Sequence, residues 1–376
     1  HSISLYCSGT LGILMLVSSG QMSFQGVNVM SRVFRIRHAL PARAVFPVSL
    51  LLAIAVLAVV ASTWAKADEP SAHCQEEFQA KMNSIDPYQP NVQVKGTVKV
   101  FGSTSMDAMA HAWGANFKKF HQNAKVEISG SGSETTFETL LKNPTGVAML
   151  SRPVSEQEIA ELQKKGLKKP VAFTVAREAL GVFVHPKNPV KTISGEQLRL
   201  VFTEAAKGQK VTWGMLGATG EWANKEVRVI SRSVTSGTQR YLRDFVFAGA
   251  NMREGVSQHA SNAEVMKVIQ ADELAIGICG LGCKHDMVNC LQLVAGEKAI
   301  PSDDYTILTN QYPLTRSLVL LIDMGQTGAG AVEAQEFVHY ALCRTAQLHT
   351  VIASFYPVDP PLLRASLQKL GAKQIR

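Results

Sequence analysis

The stretch GTVKVFGSTSMDAMAHAWGANFKKFH, residues 96–121, changes its hydrophobic period at a glycine-serine turn. Residues 96–101 carry the period of two that suits a strand. From Met106 onward the apolar positions Met106, Met109, Ala110, Trp113, Phe117 and Phe120 recur every three or four residues and share one helical face. A strand that turns directly into an amphipathic helix is the repeating unit of α/β proteins. The pattern continues along the chain, with strands expected at 125–129, 146–150, 179–185, 226–230, 274–279 and 317–322. Ser155-x-x-Glu158 and Ser194-x-x-Gln197 are capping boxes that open helices between them. Tyr241, Leu242, Phe245 and Val246 form the inner face of another helix, and His111 and His121 read as an exposed helix side. The alternation predicts an α/β protein with mainly parallel sheets.

Four strand-to-helix turns share one chemical character. They are 101–105 (FGSTS), 129–133 (SGSGS), 150–152 (LSR) and 231–238 (SRSVTSGT). Each sets hydroxyls, and in three cases glycine, at a helix start, where unpaired N–H groups favour an anion. Arg152 and Arg232 add fork-shaped cationic donors suited to an oxyanion. One such turn alone reads as helix capping. Four of them, two with arginine, point to a shared tetrahedral anion, although Arg152 also suits an ion pair with Glu134.

The composition, 46% hydrophobic and 18% charged, is that of a globular protein, and the formal charge of +8 invites a nucleic-acid reading. Position removes that reading. Residues 1–67 hold Arg32, Arg35, Arg37, Arg43 and Lys66 and no acidic residue, so 33 basic and 30 acidic residues remain beyond them. No aromatic-basic interleaving supports nucleic-acid binding either. The four arginines precede an apolar run at 45–61, and Ala65-Lys66-Ala67 follows, which describes an export signal cleaved after about Ala67. Met30 stands before the basic segment, so 1–29 read as an upstream extension and 30–67 as the signal peptide. Residues 68–93 read as a polar lead-in.

Beyond the leader stand Cys74, Cys279, Cys283, Cys290 and Cys343. The spacing around Cys279, Cys283, His285 and Cys290 fits no common zinc pattern. Export permits disulfides, and one or two local bridges are expected.

With the motifs GSTSM (102–106), SGSGSETTF (129–137), Ser-Arg-Pro (151–153) and Arg232-x3-Ser236-Gly237-Thr238, the chain resembles the PstS-like family, the periplasmic phosphate-binding proteins of ABC importers. Supporting stretches are 274–282, 312–322 and 354–358, and the resemblance spans about 94–370. It implies a two-lobed class II periplasmic binding protein fold, with two crossing strands near 176–186 and 312–322 and a ligand cleft between lobes. Lobe I would comprise 94–177 plus 313–376, and lobe II 178–312. Residue by residue, Thr104, Ser105 and Ser133 would bind phosphate from one lobe and Arg232, Ser236, Gly237 and Thr238 from the other, with Ser151 and Arg152 as further candidates. In the best-known members a carboxylate follows the serine of the third turn, whereas this chain has Arg152, as some relatives do. The resemblance implies a periplasmic monomer that delivers phosphate to a permease and its ATPase, with no catalytic residue, cofactor, metal or nucleic acid. The alternatives are a receptor for sulfate, molybdate or a phosphonate, and a secreted hydrolase using Ser133 or Ser236. The hydrolase lacks a G-x-S-x-G elbow and an ordered Ser/His/Asp set.

Overall fold

Where the period changes at Gly102, the backbone turns: φ is +124°, and a Cβ there would lie 2.4 Å from the Met149 carbonyl oxygen. Only glycine fits both demands. A computed structural model describes residues 80–371, apart from Lys81, Lys207 and His285. The leader 1–67, Cys74, His285 and the final residues 372–376 therefore lie outside the described residues. The strands in chain order are β1 (Thr97–Gly102), β2 (Lys125–Gly130), β3 (Val147–Leu150), β4 (Pro170–Val184), β5 (Thr192–Ser194), β6 (Arg228–Arg232), β7 (Ser257–His259), β8 (Ala275–Gly280), β9 (Asn289–Ala295), β10 (Lys298–Ile300) and β11 (Thr315–Asp323). The helices are α1 (Asp107–Phe120), α2 (Thr136–Lys142), α3 (Glu156–Lys164), α4 (Gly195–Phe202), α5 (Gly237–Tyr241), α6 (Asn262–Ala271), α7 (Asp304–Leu308), α8 (Ala331–Leu342), α9 (Arg344–Ile352) and α10 (Pro360–Leu370).

α1 buries Met109, Ala110, Trp113 and Phe117, the stripe that its sequence presents. Both expected capping boxes form, at the starts of α3 and α4. The main sheet runs β2-β1-β3-β11-β4-β8-β6-β7. Its flanks are parallel: β1 with β2 and β3, and β6 with β7 and β8. Its middle is antiparallel, because β4 and β11 pair from Thr315↔Ala179 to Asp323↔Pro170. The expectation of mainly parallel sheets thus gives way to a mixed one. Two long strands run in opposite directions between the parallel groups, and they can pair only antiparallel.

The apolar side chains divide accordingly. One core takes residues between Ala179 and Leu314, including Trp213, Phe202 and Ile276. Another takes Met82 to Ala176 together with Leu318 to Leu370. β4 and β11 pass from one to the other.

Three local expectations are corrected. The turn Leu242–Val246 is π-helical. Its wider winding breaks the 3.6 period and leaves Phe245 58% exposed, while Tyr241 and Leu242 stay buried. His121 is fully buried rather than on an exposed face. Val94 N–H donates to its Nδ1 at 3.2 Å, so Nε2 carries the proton and donates to the Tyr88 hydroxyl at 2.6 Å. That hydroxyl donates in turn to Glu336 at 2.7 Å. The segment before β1 is thereby fastened to α1 and α8, and Met82, Ile85 and Tyr88 join the core.

The third correction concerns sulfur. Cys279, Cys283, Cys290 and Cys343 are all unbonded. Cys279 pairs with Gly181 on one side of β4 and Cys290 with Phe183 on the other. Two strand spacings, about 10 Å, separate such positions, beyond the reach of a disulfide. Cys343 belongs to the other core.

Burial holds the His121 imidazole below its ordinary 6.5; Glu336 pulls the other way, and His339 adds to the lowering. The unfolded chain then takes the proton more readily, so stability is full above about pH 6.5 and falls as pH drops below it. The urea midpoint is expected to fall between pH 7 and pH 5, and to fall less in His121→Gln. Equal falls in both proteins would contradict this account.

Candidate functional site

β6 delivers Arg232 to the end of the sheet, where the chain turns into α5. Ser236 caps that helix, accepting from the Gln239 N–H at 3.1 Å. The Arg232 side chain reaches back to the β1–α1 turn. Nη2 donates to Thr104 Oγ1 at 2.8 Å and Nη1 to Ser105 Oγ at 3.4 Å. The Ala260 carbonyl, at 2.7 Å, and Asn262 Oδ1 hold the other side. Arg232 is 1% exposed. All these partners are neutral, and among the described residues no carboxylate pairs with it. Burial pulls its pKa below the usual arginine value, and the neighbouring Arg316 adds to the effect.

Arg316 stands on β11 opposite Glu178 on β4. Its Nη2 and Nε donate to Glu178 Oε2 at 2.7 and 3.1 Å. Nη2 also reaches Thr238 Oγ1 at 2.8 Å and Ser105 Oγ at 3.3 Å. The two guanidinium groups therefore share Ser105, one approaching from each core's side.

The second turn joins through Ser133. Its Oγ accepts from the Ser151 N–H at 3.2 Å and lies 3.3 Å from Ser151 Oγ. A Cβ at position 237 would come within 2.4 Å of Ser151 Oγ and 2.5 Å of Ser133 Oγ. Gly237 lets the α5 backbone touch both hydroxyls. Thr104, Ser105, Ser133, Ser151, Arg232, Ser236, Gly237 and Thr238 consequently form one contiguous group.

Arg152 is placed differently from its turn-mate Ser151. Its guanidinium pairs with Glu134 at 3.1 Å and Glu158 at 2.9 Å and lies over the Phe137 ring. Arg240, from α5, meets the same Glu134 at 2.9 Å. Arg152 thus belongs to a brace of charges spanning the 129–136 turn and α5, the ion-pair role its sequence also suits.

Sequence reasoning missed Arg316, Glu178 and Asn262. The signal for the first two was available: each is a charge inside an apolar strand, where burial demands a partner. Asn262 had no such mark.

Chemically, the group offers donors. The partners of Ser133 are the Ser151 amide and hydroxyl, and Ser236 caps its helix. Among the described residues, no histidine or carboxylate hydrogen-bonds to either serine. Among the same residues, no group of three or more His, Cys, Asp or Glu stands together as a metal site.

A protein-family model described as the PBP superfamily domain matches residues 89–345. The phosphate-binding protein PstS of Pseudomonas aeruginosa is 28% identical over 299 residues, covering 77% of this chain and 92% of that protein. Protein SphX of Synechococcus elongatus is 22% identical over 300 residues, covering 78% of this chain and 87% of SphX. Among solved structures, an ABC-type phosphate transport receptor from Vibrio cholerae matches with a TM-score of 0.56 and 22% identity. It aligns with 70% of this chain and all of the receptor, a likeness of fold. With the match covering more than half of its length, the chain belongs to the PBP superfamily, and its fold is that of a class II periplasmic binding protein.

Proposed function

We propose that this protein captures inorganic phosphate outside the cytoplasm for an ABC importer, by binding without chemistry. The observation that carries the reading is Arg232, a buried guanidinium set among hydroxyls and, among the described residues, without a carboxylate partner. Burying an unpaired charge is costly, and a bound anion removes that cost. The hydroxyls around it are short, directional donors, and Gly237 brings a backbone close. The Pseudomonas aeruginosa relative, a phosphate-binding protein, points the same way.

In this reading Thr104, Ser105 and Ser133 hold the anion from one side, and Arg232, Ser236, Gly237 and Thr238 from the other. Ser151 completes the hydroxyl pair with Ser133, while Arg152 braces the turn. The lobes are 94–177 plus 313–376 and 178–312, and an anion touching both favours the closed arrangement. The protein acts as a monomer in the periplasm, exported by the leader 1–67, and it passes its ligand to a permease with its ATPase. No nucleic acid or catalytic step is involved. Among the described residues, no helix is long and apolar enough to cross a membrane.

Isothermal titration tests the site. Each charge-assisted hydrogen bond contributes about 1.5–3 kcal/mol. Arg232→Ala combined with Thr238→Ala is therefore expected to weaken phosphate binding about a hundredfold or more; binding within threefold of wild type would refute the assignment. A smaller probe is Gly237→Ala. Its methyl group would crowd Ser133 and Ser151, and overpacking of about 1–3 kcal/mol predicts roughly tenfold weaker binding. Undiminished affinity in that variant would remove Gly237 from the site.

A further inference from the structure

Beside the 231–238 turn lies a hollow of about 360 Å³. None of the eight residues grouped around Arg232 lines it, although Glu134 and Gln239 on its wall directly follow Ser133 and Thr238. Small-molecule sites usually measure about 300–1,000 Å³. One part of the wall is fixed by backbone pairing. Thr203 and Met252 form an antiparallel bridge, the Arg253 N–H donates to the Phe202 carbonyl at 3.0 Å, and the Glu204 N–H donates to the Asn251 carbonyl at 3.2 Å. The segment carrying Arg253 is thereby pinned to the end of α4.

Two donors on this wall lack partners. Arg253 makes no ion pair and no side-chain hydrogen bond among the described residues, and its Nη1 is screened from solvent. A guanidinium carries five N–H donors and cannot accept, so leaving it unanswered forfeits free energy. Gln258 Oε1 accepts from the Val234 N–H at 3.2 Å, which leaves its Nε2 a donor with no partner among the described residues. The neighbouring arginines are only partly neutralised. Arg240 and Arg243 share Asp244, and Arg240 shares Glu134 with Arg152. Against them stands Glu254, an exposed carboxylate on the same wall. Val234, 62% exposed, and Met252 supply an apolar surface beside the donors.

We propose that this hollow is a second ligand site, separate from the cleft, for a small organic anion. Its carboxylate or phosphoryl group lies against Arg253 and Gln258, and its carbon body lies on Val234 and Met252. The guanidinium fork matches two oxygens of either head group, and the Gln258 amide adds a third, neutral donor. The apolar side of the hollow calls for a carbon body, which an inorganic ion lacks.

The experiment titrates the protein with benzoate, phenyl phosphate and benzyl alcohol, following backbone amide shifts by NMR. Inorganic phosphate is present at saturation throughout, so that the probes do not enter the cleft. The three probes share an aromatic body and differ in head group: a carboxylate, a phosphoryl group and an uncharged hydroxyl. Saturable binding is expected for at least one of the two anions, with shifts at 251–258, and the tighter of the two identifies the head group. Benzyl alcohol is expected to bind about tenfold more weakly or not at all, because it brings no charge to the fork.

Arg253→Met is expected to weaken the bound anion about tenfold or more. Glu254→Gln removes the opposing charge and is expected to tighten it about twofold or more. If thermal unfolding shows that Arg253→Met does not fold, Gln258→Met replaces it, with an expected weakening of about threefold or more. Inorganic phosphate titrated alone into Arg253→Met is expected to bind within about twofold of wild type, because the two sites share no residue. Four results overturn the proposal: neither anion binds the wild-type protein; benzyl alcohol binds as tightly as the anions; anion affinity is unchanged in Arg253→Met, or in Gln258→Met where that variant stands in; or Arg253→Met, though folded, loses inorganic phosphate and the probe together, which would make the hollow part of the cleft.

Discussion

Two guanidinium groups are buried against one carboxylate, and most of the architecture around them follows from that imbalance. Arg232 and Arg316 are 1% and 2% exposed, and Glu178 neutralises only Arg316. Leaving a charge unpaired in a protein interior costs several kcal/mol even after relaxation. The fold moderates that cost with neutral groups: Thr104, Ser105, Asn262 and the Ala260 carbonyl all accept from Arg232. The remaining positive charge is what an anion would meet.

The mixed sheet explains how these groups come together. Parallel strands deliver their turns to one end, so β1, β3 and β6 bring Thr104, Ser151 and Arg232 to the same edge of their sheets. β4 and β11 run antiparallel between those strands and contribute from within the sheet instead of from its turns. Glu178 and Arg316 therefore sit beneath the hydroxyls and tie the two cores together. Above them, Arg152, Glu134, Glu158 and Arg240 form a second, more open set of charges across the same junction. Charges serve twice here: the inner pair joins β4 to β11 beneath the hydroxyls, and the outer set braces the turn that carries Ser133.

Much of this was legible in the residues. The switch of period at Gly102 marks β1 and α1, and the capping boxes mark α3 and α4, because these signals are local. The Arg232-x3-Ser236-Gly237-Thr238 element was legible for the same reason. What escaped was non-local. Arg316 and Glu178 lie far apart in sequence: a charge within an apolar stretch signals the need for a partner, but which partner is set only when β4 and β11 pair. β4 begins at Pro170, ahead of the strand expected at 179–185, and only its second half is a continuous buried run. His121 is polar at the end of an amphipathic helix, and only the return of Tyr88 and Val94 over it explains its burial. Phe245 kept the helical period that the π-turn breaks. The cysteines looked close in sequence, but β4 separates Cys279 from Cys290.

The most direct test of the central claim is a crystal structure of the protein grown with phosphate. The account predicts anion oxygens within hydrogen-bond distance of the Arg232 guanidinium and of the Thr238 and Ser133 hydroxyls, with Arg316 still paired to Glu178. An anion bound elsewhere, with Arg232 keeping all its present protein partners, would contradict it.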